Sequence, residues 1–175
     1  GQYTALINAE SGVLTVNPAD MMNNDDWDAF CYYEEKAVTE GFSESITLHR
    51  PFAQLNVGSP APDFTNAAKS GIATDETLKT SYKLMAPTKL NFLGMEIGDE
   101  AAEVAMTPAA HFTEDQLSVS GTSYDYVAMA YILAPGDEKA LTDVILTLNT
   151  TQNGASIELT REVANVPLMA NYRTN

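Results

Sequence analysis

Asn24, Asp26 and Asp28, with Glu35 eleven positions after Asn24, have the oxygen-ligand spacing of a calcium loop, in which alternate carboxylate and amide oxygens surround a hard cation. Ala29 stands where such a loop needs glycine for its sharp turn, and the flanks read as strands. The expected structure is therefore a solvated acidic loop that initiates a strand. His49 and Arg50 are the next candidates, held with Pro51 in the stretch LHRPFAQLNVG at 48–58. They are either a binding pair on a scaffold or a kink in a sheet. His111 lies far from His49 in sequence, and no His-x-x-His, Cys-x-x-Cys or His-Glu-x-x-His spacing occurs, so a zinc site has no basis. The phosphate-cradling glycine loop, the dinucleotide fingerprint and the Gly-x-Ser-x-Gly elbow are missing too. Cys31, between Phe30 and Tyr32, is expected in the core rather than as a nucleophile. Carboxylates are plentiful, but a glycosidase pair must face across a cleft, which spacing alone does not define. No catalytic, metal or cofactor residue is assigned.

Charge excludes further classes. Twenty-four Asp and Glu against nine Lys and Arg give a net charge of -15, which repels phosphate backbones and anionic lipid headgroups, so nucleic acid is not an expected partner. No run approaches the roughly 18 to 20 apolar residues of a membrane span. One cysteine allows no internal disulfide. With 175 residues and 45% hydrophobic content, the chain can bury a sizeable core. The opening Gly1-Gln2 suggests an excised or processed product.

The elements that must position these residues follow a period of two, bounded by Gly, Pro, Asn and Asp. Residues 13–16 make a short strand closed by Asn17-Pro18, and the aromatic and β-branched run 30–39 makes another. Leu78, Thr80, Tyr82 and Leu84 alternate with Lys79, Ser81 and Lys83, giving one apolar and one wet face. Residues 126–133 are almost wholly apolar, as in a central strand buried on both sides. Val144, Leu146 and Leu148 lead through Gln152-Asn153-Gly154 into Ile157, Leu159 and Arg161, a hairpin with an Asn-Gly turn. Helix is expected only over 62–69 and 98–104. The fold class is all-β, an antiparallel sandwich with little helix.

Within 46–58 the inward set changes parity, from Ile46 and Leu48 to Ala53, Leu55 and Val57. A one-residue slip of this kind marks a β-bulge, where proline is tolerated, so Arg50-Pro51 is expected at a bend on an edge. Trp27, the only tryptophan, is expected to anchor its loop on the core; exposed with Tyr32 and Tyr33 it would instead form a platform for sugars.

DAF at 28–30, ITLHRPFAQLNVG at 46–58, YDYVAMAYIL at 124–133 and NVPLMANYRTN at 165–175 together resemble, in order and spacing, the fimbrillin-like surface lipoproteins of type V pili. The resemblance covers most of the chain. It implies Ig-like or transthyretin-like β-sandwich domains, export as a lipoprotein to the outer-membrane surface or a fimbrium, and subunits that complete one another's sheets with donated strands. No enzyme activity or cofactor is implied. In relatives an apolar strand follows the Asn-Tyr-Arg-Thr-Asn motif, and a lipidated cysteine and the first strands of an N-terminal domain precede the part matched here. Residues 1–44 are accordingly expected to be the end of a preceding sandwich or edge strands of the same one, and 45–175 the main domain.

Two functions follow as expectations. The first is a structural or adhesive subunit whose partners are other fimbrial subunits or surface proteins, bound by strand addition along an edge carrying Val166, Leu168, Tyr172 and Arg173. In this view 166–173 is one strand with no closing turn. The second is a carbohydrate-binding module for host or microbial glycans, using Trp27, Tyr32 and Tyr33. An uncovered groove lined by Leu and Val would favour the first, and clustered exposed aromatics the second.

Overall fold

The structure, a computed structural model, describes residues 3, 6–37, 41, 43–98, 100–112, 116–134, 136 and 138–175. The chain is an all-β protein, 51% strand and 11% helix. Its elements in order are β1 (Val13–Thr15), β2 (Phe52–Ser59), α1 (Ala61–Lys69), β3 (Lys79–Pro87), β4 (Lys89–Asn91), β5 (Glu96–Ile97) and β6 (Ala101–Ala105). Then come β7 (Ala109–Ala110), β8 (Gln116–Val119), β9 (Thr122–Leu133), β10 (Ala140–Gln152), β11 (Ala155–Leu168) and β12 (Arg173–Thr174).

These strands form three sheets. A middle sheet runs β12-β2-β9-β8, a long sheet runs β11-β10-β3-β6 with β7 also on β3, and a small sheet runs β1-β4-β5. Every ladder is antiparallel except β12 on β2, which is parallel. The middle sheet is covered on both faces. Ala53, Leu55, Ala128, Ala130 and Ile132 turn one way, into a core with Tyr82, Leu84, Val144 and Leu146 of the long sheet. Phe52, Met129, Tyr131 and Leu133 turn the other way, into a second core with Leu14, Val16, Met21 and Leu90. Burial on both faces is why β9 is continuously apolar from Tyr126 to Leu133. The β3 alternation also holds, with Thr80, Tyr82, Leu84 and Ala86 buried. The β10–β11 hairpin turns at Asn153 (φ 48°) and Gly154 (φ 83°), the left-handed pair that an Asn-Gly turn supplies. Helix α1 starts after Pro60, carries Asp63 in its first turn and Lys69 in its last, and suits its dipole at both ends.

Four expectations are corrected. Residues 30–37 form no strand; only Cys31 bridges to His49, and 38–39 lie outside the described residues. Strand-forming residue types there have no neighbouring strand among the described residues to pair with. The expected helix at 98–104 is β6 over 101–105, because its Ala-rich sequence gains a ladder to β3 that outweighs helix propensity. The expected parity slip at Arg50-Pro51 is not there, because Ile46 and Leu48 are exposed and lie before β2, and Pro51 is buried. The ladder does carry a bulge, but on the partner strand: Val57 pairs with Ala128 and Gly58 with Tyr126, leaving Val127 as the extra residue of β9. Residues 166–173 are not one strand either. β11 ends at Leu168, Asn171 turns the chain at φ 64°, and β12 crosses to the middle sheet.

The segment before β2 closes the third layer. β1 pairs with β4, and Met22 bridges to Ala130 of β9. Asn23, held at φ 51°, accepts from the Met129 N–H at its Oδ1 (2.8 Å) and donates from Nδ2 to Thr80 Oγ1 (2.7 Å) and Ala110 O (2.8 Å). One amide thus ties the middle sheet to the long one.

Candidate assembly groove and aromatic cleft

The two flanks of the middle sheet are finished differently. On the β9 side, β8 pairs beside residues 122–125, and Met22 and Asn23 take up the row further along at 129–130. On the β2 side, Phe52 O accepts from Asn171 N, Gln54 N donates to Tyr172 O, and β12 pairs with Gln54 and Leu55. Asn56 Nδ2 then donates to Asn175 Oδ1 (2.8 Å), while the buried Asn56 Oδ1 has no partner among the described residues. Beyond it, no strand among the described residues pairs with the outer flank of 57–59.

The long sheet overhangs this open flank. Register places Val163 beside Val144, Arg161 beside Leu146, Leu159 beside Leu148 and Ile157 beside Thr150, so these β11 residues point inward with the core side chains of β10. A bulge opposite Asp143 keeps Val166 and Leu168 on that same face; Asn165 adopts φ 57° and donates its N–H to Asp143 Oδ1 (2.9 Å). Leu168 is 3% exposed, yet Leu159 is 52% and Val163 48% exposed, with no strand among the described residues lying under them. At the α1 end an apolar cavity of about 180 Å³, walled by Ser59, Phe64, Ala67, Val127, Leu148 and Leu159, opens into this space. The flank of β2 at 57–59 thus stands as one wall, and the inner face of β11 at Leu159 as the roof, of an open groove beside α1. Residues of an added strand opposite Val57 and Ser59 would point to that roof, as Thr174, opposite Leu55, already does in donating its hydroxyl to Pro167 O.

Of the assembly-edge residues, Val166 and Leu168 are buried in the core, Arg173 pairs with Gln54 in β12, and Tyr172 stands 59% exposed. They mark where the row begins rather than forming its free part. Leu159 and Val163, inward-facing by alternation but uncovered, were not singled out from sequence. Alternation shows the face, while the missing neighbour depends on distant residues.

The aromatic residues separate. Trp27 is tucked in, donating Nε1–H to Asp20 O (3.1 Å) and meeting Tyr3 edge-on at 5.3 Å, as expected of a core anchor. Tyr32 and Tyr33 instead line a cleft of about 760 Å³ with His49, Arg50, Met95 and Tyr172. Their hydroxyls donate to Glu34 and Glu35; the Glu34 bond pushes the Tyr32 phenol up to about 12. Arg50 is held by Asp28 in a bidentate pair (2.6 and 2.7 Å) and lies 4.7 Å over the Phe30 ring. That hydrogen bond, outweighing partial burial, raises its already high pKa.

The acidic loop is dispersed among partners. Asn24 caps a short 3-10 turn, Asp25 accepts from the Tyr131 hydroxyl, and Asp28 binds Arg50. Among the described residues, no group of three or more His, Cys, Asp or Glu is placed to hold a metal ion. Burial raises the pKa of the Cys31 thiol, whose Sγ rests 3.5 Å from His49 O. No helix among the described residues is long and apolar enough to cross a membrane.

The fold is that of an all-β protein of stacked, mainly antiparallel sheets. The chain belongs to a family of unknown function, DUF6562, whose family model matches residues 11–175. No curated protein and no solved structure matches the sequence.

Proposed function

We propose that this chain is a structural or adhesive subunit of the cell surface or a fimbrium, assembling by β-strand complementation and carrying out no catalysis. The carrying observation is the groove: an unpaired flank at 57–59 beneath the uncovered Leu159 and Val163. A strand laid there gains main-chain hydrogen bonds from β2 and buries apolar side chains at every second position. The likeness to fimbrillin-like surface lipoproteins supports the same mode of assembly and an outer-membrane surface or fimbrial location.

The test is thermal unfolding with a synthetic peptide alternating apolar and polar residues. Binding to the folded state alone raises Tm by mass action. A scrambled peptide should leave Tm unchanged, and the L159D/V163D variant should no longer respond. An unchanged Tm well above micromolar peptide, or an undiminished response in the variant, defeats the proposal.

The cleft favours a second reading, a cell-surface carbohydrate-binding module, because it brings Tyr32, Tyr33 and Tyr172 together. Calorimetric titration with neutral oligosaccharides tests it. Heat lost in Tyr33→Ala supports it, and the absence of heat from the wild-type chain removes it.

A further inference from the structure

The aromatic cleft is walled by three separate parts of the chain. Tyr32 and Tyr33 come from the extended stretch tied back through the Cys31–His49 bridge, Met95 from the turn between β4 and β5, and Asn171 and Tyr172 from the turn between β11 and β12. Met95 holds φ 57°, a left-handed conformation that this residue type seldom adopts. Strain of this kind is kept where the surroundings over-determine it, and it gathers at ligand sites. The volume, about 760 Å³, lies within the usual ligand range of about 300 to 1,000 Å³. Among the described residues no two of the three tyrosine rings are in contact. They are therefore spaced for a ligand of several units and do not form a cage around one small group.

The polar character of the cleft is one-sided. Tyr32 and Tyr33 commit their hydroxyl protons to Glu34 and Glu35, the second bond being 2.6 Å long, so each phenol oxygen has only acceptor capacity left. Those bonds also raise both phenol pKa values, which keeps the protons in place. Arg50 is matched by Asp28 and covers the Phe30 ring. Lys36 pairs with Glu44 and lies 4.0 Å from Glu34. No ion pair among the described residues reaches Glu35. The Tyr33 ring thus stands beside a carboxylate that no cation balances. An ammonium is drawn to such a place by the ring face and by the charge together, and the net charge of -15 acts in the same sense.

We propose that the cleft binds an amino-sugar oligosaccharide, its rings laid on the tyrosines and a protonated amine set between the Tyr33 ring and Glu35. This rests on the carbohydrate reading above and names its ligand class. Two phenol oxygens left as acceptors call for donors spread over the ligand. A sugar ring supplies them through its hydroxyls, whereas a lysine side chain carries one ammonium on an apolar stem.

The experiment is calorimetric titration of the full chain with tetraglucosamine at a pH where its amines are protonated. The fully N-acetylated, neutral tetramer is titrated beside it, with spermine and tetralysine as ligands that carry charge without sugar. Tetraglucosamine should bind at least about threefold tighter than the neutral tetramer and than either charge control, the scale of one exposed ion pair. Added salt should narrow that preference. Glu35→Gln keeps an acceptor for the Tyr33 hydroxyl and loses the charge, so it should abolish the preference and leave binding of the neutral tetramer unchanged. Glu158→Gln, exposed on β11, should change neither. Both variants are first checked for wild-type circular dichroism. Equal affinity for the two tetramers, or a preference that survives Glu35→Gln, overturns the inference while the carbohydrate reading stands. Spermine or tetralysine binding as tightly as tetraglucosamine overturns it too, because charge alone is then recognised. If neither tetramer gives heat, the inference and the carbohydrate reading both fall.

Discussion

The two ends of β11 carry leucines on the same face of the same strand, and they meet different environments. Leu168 shares the core with Ala53 and Leu55 and is 3% exposed; Leu159, also turned inward, is 52% exposed. Pairing with β10 continues past both. What changes is the layer below, where β12 and the start of β2 lie under one end and the row beside β2 is unfilled under the other. Burial of a sheet residue is therefore set by the strand facing it and not by its own alternation.

The largest effect comes from below the covered end. Leu55→Asp puts a carboxylate without a partner into the shared core, at a cost of several kcal/mol, which is most of the stability of an ordinary domain. Circular dichroism should show an unfolded chain at 37 °C. A variant melting with the wild type would show that Leu55 does not face the core.

A direct comparison of the two ends has a smaller effect. Leu168→Ala removes fully buried methyl groups and should cost about 2 to 5 kcal/mol, whereas Leu159→Ala should cost less than about 1 kcal/mol in the free monomer. Urea unfolding at low protein concentration measures both. Equal losses would mean that the open end is covered in solution.

The smallest effect follows the row that crosses the long sheet, Tyr82 beside Leu146 beside Arg161, from full burial to open water. Tyr82 is 1% exposed and its hydroxyl has no partner among the described residues. Tyr82→Phe should therefore stabilise by about 1 kcal/mol, the cost of one dry unpaired polar group. Burial also pushes the Tyr82 phenol pKa well above its ordinary value. A group whose pKa is raised on folding contributes stability that is complete below its unfolded pKa, about 10, and is lost as pH rises beyond it, because the unfolded chain releases the proton first. Stability measured from pH 8 to 11 should fall above about pH 10. Tyr82→Phe should flatten part of that fall and leave the part due to Tyr3 and Tyr131, whose phenols are also raised by burial. An unchanged slope would place the Tyr82 hydroxyl in water.

Where one local signal dominates, the sequence is a sufficient guide. Period-two alternation marks β3, the unbroken apolar run marks β9, and Asn153-Gly154 marks the hairpin, because each reports a neighbour close in sequence or burial on a whole face. Residues 30–37 and 101–105 mislead because their fate depends on distant chain. The first has strand-forming side chains and no strand among the described residues to pair with; the second is Ala-rich and is recruited by β3. The parity slip read across Arg50-Pro51 misleads as well: Ile46 and Leu48 are exposed and precede β2, and the bulge on this ladder belongs to Val127 of β9, 70 residues after Val57. The groove was half legible for the same reason. Alternation gives the inward face of Ile157, Leu159 and Arg161, and only the path of the chain through Asn171 shows which strand crosses below this face.

Burial of β9 on both faces has a consequence in time. Its amides from Tyr126 to Leu133 are shielded above by the long sheet, below by the small one, and at the flanks by β2 and by Met22 and Asn23. Local fraying does not reach them, so they trade hydrogen for deuterium only when the whole molecule opens, while the outer amides of β11 exchange through small and frequent openings. The middle strand thus keeps the slowest clock in the protein, and its exchange rate reads the global stability of the fold directly.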